Sequence, residues 1–137
     1  MQKSVIYWII GLSLAVILSR IIPHMPNFTA SSAAIVFAGS QIKRWPVFLS
    51  VLLAYFSADL ILNNFVYPNG GSIKWLSGGA LFIFLPMVIN YFLIQVLYKK
   101  GLEPFQLFTA SLLSAVVFFI ISNLGVFMTD TLYVKNM

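Results

Sequence analysis

The 137 residues include no cysteine, a single histidine and only three acidic side chains. Without cysteine there are no disulfides and no thiolate chemistry, and the redox compartment stays open. One histidine without cysteine cannot assemble the usual zinc ligand sets. Asp59, Glu103 and Asp130 are dispersed along the chain, so no carboxylate pair is set up for general acid–base work. No glycine-rich loop ends in Lys-Ser/Thr, no serine sits in a nucleophile elbow, and "NGGS" at 69–72 reads as a turn. Neither an enzymatic activity nor a cofactor is expected.

Charge is scarce as well. Charged residues make up 8% of the chain, against about 25% in soluble domains. Hydrophobic residues reach 61% and the mean hydropathy is +0.97. A soluble domain of this size has too much surface for its volume to hide so many apolar side chains. Lipid is the expected solvent. The net charge of +5 comes from eight basic residues scattered through short connections. They form no stripe of the kind that binds nucleic acid.

Four uncharged or nearly uncharged runs, at 4–22, 46–67, 76–98 and 105–128, have the roughly 20 residues needed to cross a hydrocarbon core. A fifth, at 28–42, is short and rich in Ala and Ser. It reads as a short span inside the bundle, with a re-entrant half-helix as the alternative. The expected fold is therefore all-α, a single polytopic domain of five membrane helices with the second one short. With five spans, Lys3, Lys43, Arg44, Lys99 and Lys100 share one side, and Arg20, Lys74 and Lys135 the other. That bias expects a cytoplasmic N-terminus. The re-entrant alternative divides the charges equally well with the N-terminus outside. The first run is longer than a signal-peptide apolar region and is expected to be retained.

Polar residues inside spans need partners, which makes each one informative. Asp59 lies in "LAYFSADLILNNF", with Asn63 one turn further along the same face. It is expected either to pair structurally with Arg20 or Lys74 or to serve as a ligand or proton site. Asn123 falls at a similar depth in the last run. Ser111, Ser114 and Ser122 mark a helical stripe suited to interhelical packing, and Asn90 and Gln95 suit interhelical hydrogen bonds. Small residues repeat every four positions at Gly11, Ala15 and Ser19 and at Ala30, Ala34 and Ala38. This spacing permits close helix approach, either within the bundle or against a partner membrane protein.

With the N-terminus inside, "PHMPN" and "YPNGGSIKW" both fall on the outer side. Arg20, His24, Asn27, Asp59, Asn63, Trp75 and Asn123 then gather in the outer half, as the residues of an outward-facing small-molecule pocket would. Trp75 is the candidate stacking lid.

The order "SRIIPHMPNFTASSAAIVFAGS", "AYFSADLIL" and "FFIISNLGVFMTDTLY" resembles an uncharacterised family of small bacterial inner-membrane proteins with an Arg-x-x-Pro-His-x-Pro-Asn-Phe element. Here that element is Arg20, Pro23, His24, Pro26, Asn27 and Phe28, and the later family positions fall on Asp59 and Asn123. The family's Ser-Asp pair is interrupted here as Ser57-Ala58-Asp59. That family in turn resembles the substrate-capture (S) components of energy-coupling-factor vitamin transporters. The resemblance implies capture of a vitamin-like solute from the outer side. It also implies docking to a transmembrane coupling protein that works with ATPases, through small-residue ladders such as Gly11/Ala15 and Ala30/Ala34/Ala38. Those components have six helices, and family members continue after "TLYP". This chain reads "TLYVKNM", which suggests a truncated version of that bundle. Two alternatives remain at this point: a membrane scaffold or assembly subunit, and a proton-coupled carrier using Asp59 and His24.

Overall fold

Long apolar runs with no internal partner for their backbone groups other than themselves can only coil into helices. The computed structural model, which describes residues 3–22, 30–67, 71–76, 79–98 and 103–129, has this outcome. The described residues form five helices and no strand: α1 (Lys3–Ile21), α2 (Ser31–Ile42), α3 (Trp45–Val66), α4 (Ala80–Leu97) and α5 (Pro104–Thr129). All but α2 are long and apolar enough to cross a membrane. The 12 residues of α2 span only about 18 Å at 1.5 Å each, well short of the hydrocarbon thickness.

Helix directions follow from which residues meet. Ser13 Oγ donates to the Ser50 carbonyl at 3.4 Å, and Arg20 pairs with Asp59, so α1 and α3 run parallel. Tyr55 meets Phe84, and Phe48 stacks on Tyr91 with ring centroids 4.0 Å apart, so α4 is antiparallel to α3. Asn90 meets Ser114 and Tyr98 meets Thr109, which sets α5 antiparallel to α4. A parallel α1–α3 pair requires the chain between them to return from one end of the bundle to the other. α2 makes that return. It starts beside the end of α1, where the Ala30 amide donates to Ser19 Oγ at 3.1 Å. It ends beside the C-terminus of α4, where Lys43 Nζ donates to the Tyr98 carbonyl at 2.8 Å. A re-entrant segment would instead have left α1 and α3 antiparallel.

Local chemistry sets the corner between α2 and α3. Lys43 takes a left-handed conformation (φ 50°) after a closing π-helical turn, Ala38–Ile42, and Pro46 opens α3 in its first turn. Proline suits that position because the first-turn amides have no helical acceptor. A second π-helical turn, Leu62–Val66, ends α3. Within it, the Asn64 side chain takes the Lys74 amide (2.9 Å) and gives to the Lys74 carbonyl (3.0 Å), fastening the connection to α4.

The interior is built from Val16, Ile35, Val47, Val51, Met87 and Tyr91. The periphery is covered with large apolar side chains such as Leu14, Leu53, Phe92, Phe119 and Ile120. Water would oppose this distribution, whereas lipid accepts it.

Candidate functional site

The ends of α1, α3 and α5 and the start of α4 meet at one end of the bundle. Arg20, in the last turn of α1, donates through Nη2 to Asp59 Oδ1 on α3. The two side chains are only 17% and 11% exposed. One turn further along α3, Asn63 Nδ2 donates to the second carboxylate oxygen at 3.2 Å. The guanidinium carbon lies 4.3 Å from the centre of the Tyr55 ring. The guanidinium is thus held by a carboxylate and by an aromatic face, an arrangement worth about 2 kcal/mol for the ring contact alone when desolvated. Taken together the pair is neutral, which is the form in which charges are tolerated in such surroundings.

Beside this cluster lies a cavity of about 170 Å³. Its lining includes Arg20 of α1, Tyr55 of α3, Phe82 of α4, and Phe118, Ser122 and Gly125 of α5. Gly125 is there for a steric reason. A Cβ at that position would lie 2.2 Å from Phe82 Cγ, so only glycine lets α5 approach α4 this closely. Pro86, buried one turn below Phe82, lacks the amide that would bond the Phe82 carbonyl in a regular helix. Among the described residues no group of three or more His, Asp or Glu is placed to hold a metal ion.

The whole chain, residues 1–137, matches the model of a family of unknown function, DUF6580. The protein belongs to that family. No curated protein and no solved structure matches it.

The residues singled out in the sequence divide into several groups. Arg20, Asp59 and Asn63 come together, and of the two cations open to Asp59, Arg20 is the one that reaches it. Arg20 alone of the three lines the cavity; Asp59 and Asn63 hold it from behind. Asn123 does not converge. It is exposed, and its amide donates to the Phe119 carbonyl of its own helix at 2.7 Å. One residue along a helix turns a side chain by about 100°, so the wall position falls to Ser122 instead. Trp75 is exposed and forms no part of the cavity wall. His24 and Asn27 lie outside the described residues.

The small-residue ladders also separate. Ala34 and Ala38 are buried inside the bundle, so neither has surface to offer a docking partner, and Ala30 is half-buried beside Ser19. Gly11 and Ala15 are exposed, and nothing lies within 4 Å of a Cβ built on Gly11. Sequence reasoning missed Tyr55, Phe82, Phe118 and Gly125 because the search was for polar groups. Glycine inside a long apolar helix was the available signal for Gly125.

Proposed function

We propose that the protein is a membrane-embedded solute-binding subunit, resembling the substrate-capture component of an energy-coupling-factor transporter. It takes a small, vitamin-like molecule at the end of the bundle where α1 and α3 finish. In this reading that end faces outward from the bacterial inner membrane, with the N-terminus cytoplasmic. A transmembrane coupling protein with its ATPases would supply the energy, since the chain has no phosphate-binding loop of its own. The exposed Gly11–Ala15 face of α1 is the part of the ladders left for such a partner.

The observation that carries the reading is the cavity with a guanidinium in its wall, held in place by Asp59, Asn63 and Tyr55. Concave, mostly apolar sites with a few fixed polar groups are how proteins bind small molecules. Native mass spectrometry of protein released from lipid nanodiscs provides the test. A bound small molecule is expected on the wild type and not on Ser122→Leu, which fills the cavity without touching the ion pair. Wild-type protein that is always free of any such molecule, even when purified from cells in rich medium, counts against the reading.

One observation favours a second reading, a scaffold or assembly subunit. The Arg20–Asp59 pair joins α1 to α3 within the chain and needs no ligand to balance its charge. On that reading, loss of Asp59 alters stability and leaves every binding measurement unchanged.

A further inference from the structure

The walls of the cavity also constrain what enters it. Resting on the solute-binding reading above, we propose that the ligand is an uncharged, single-ring planar molecule carrying a carbonyl-type acceptor, such as an aromatic carboxamide.

Size comes first. The cavity measures about 170 Å³, and an apolar cavity of about 150 Å³ is known to hold one benzene. A single six-membered ring with a short substituent fits that space. Shape follows from the walls. Tyr55, Phe82 and Phe118 contribute three aromatic rings from three different helices. Aromatic rings in the lining favour a planar guest through offset or edge-to-face packing, worth about 0.5–1.5 kcal/mol per pair.

Charge is decided by the ion pair. A guanidinium in a cavity wall would ordinarily be taken as an anion receptor, but Asp59 already neutralises this one, and Asn63 reinforces the carboxylate. A carboxylate guest would add a second negative charge close to Asp59 in surroundings that screen it poorly. A neutral acceptor keeps the balance and still gains a hydrogen bond from the Arg20 guanidinium in the wall.

Benzamide and benzoate have the same shape and differ in charge, so they serve as the probes. Their binding is measured by saturation-transfer NMR on the full chain in lipid nanodiscs at pH 7.5, with Ser122→Leu subtracting partition into lipid. The expected result is that benzamide gives a signal that Ser122→Leu abolishes, and that benzoate binds about tenfold more weakly or worse. Benzoate binding as tightly as benzamide would overturn the neutral-ligand assignment. Absence of a Ser122-dependent signal from either probe would overturn the single-ring assignment. A co-purified molecule of another class, seen by native mass spectrometry while benzamide fails, sinks this proposal and leaves the solute-binding reading standing.

Discussion

Two of the polar clusters in the bundle solve the problem of polarity in lipid in opposite ways. At the end, Arg20, Asp59, Asn63 and Tyr55 bring full charges together and satisfy them across α1 and α3, beside a cavity. Near the middle, Asn90 of α4 and Ser114 of α5 are neutral and almost fully buried, and they share a single bond, Asn90 Nδ2 to the Ser114 carbonyl at 3.1 Å. Among the buried side-chain atoms of the described residues, Asn90 Oδ1 and Ser114 Oγ have no partner, and in the end cluster Arg20 Nε lacks one. The end cluster is costly to break, because each removal strands a charge. The middle cluster consists of weak, neutral contacts whose loss strands little. The difference suits a bundle whose fixed electrostatics are reserved for the end with the cavity.

The largest effect expected from a single substitution is at the ion pair. Asp59→Ala leaves a largely buried Arg20 with no counter-charge, and a loss of about 3 kcal/mol is expected. SDS-titration unfolding followed by circular dichroism measures it. The double variant Arg20→Leu/Asp59→Leu should recover most of the loss, since a matched apolar pair replaces a matched charged one. A double variant as unstable as Asp59→Ala would mean that the charges, and not their balance, hold this end together.

Next comes Gly125→Ala. With a Cβ 2.2 Å from Phe82 Cγ, either the ring or the helix must move, at a cost of about 1–3 kcal/mol for overpacking. Phe82→Leu in the same chain makes room and should restore stability. It should not restore ring binding, because it removes one of the aromatic walls. The same unfolding titration gives the stability, and the benzamide signal gives the binding.

These effects also indicate what the sequence could and could not reveal. Helix positions were legible because apolar runs end abruptly at charge, proline or glycine: 4–22 became Lys3–Ile21 and 105–128 became Pro104–Thr129. The run at 76–98 begins later than expected, at Ala80. Residues 71–76 belong to the connection that Asn64 fastens at Lys74, and pairing of that kind leaves no trace in hydropathy. Position along each helix could be counted from the sequence at a fixed rise per residue. Direction around the helix could not be. Asp59 and Asn123 were placed at similar depth, yet Asp59 faces Arg20 while Asn123 turns outward to its own helix. Which side of an apolar helix faces its neighbours depends on small residues and ring packing, as at Gly125 and Phe82, and polarity does not mark that side on α5, where exposed Ser111 and Asn123 bond back to their own helix. Five-helix order was legible, but the parallel pairing of α1 with α3 needed contacts such as Ser13 with Ser50.

The smallest effect probes the middle cluster and carries an unusual sign. Four other hydroxyls on α5, those of Thr109, Ser111, Ser122 and Thr129, bond back to carbonyls of their own helix. Ser114 Oγ does not, although its residue is 1% exposed. A buried hydroxyl without a partner opposes folding, so Ser114→Ala should leave stability unchanged or raise it by up to about 1 kcal/mol. The bond from Asn90 goes to the Ser114 backbone and survives the change. Asn90→Leu, by contrast, removes a real interhelical bond, of the kind that averages about 0.6 kcal/mol in membranes, and should lower stability by about that much. Opposite signs for two touching residues, read in one titration, would confirm that this cluster is only loosely satisfied. A Ser114→Ala loss above about 1 kcal/mol would instead mean that its hydroxyl holds a bridging water between α4 and α5, and the contrast between the two clusters would narrow to one of charge alone.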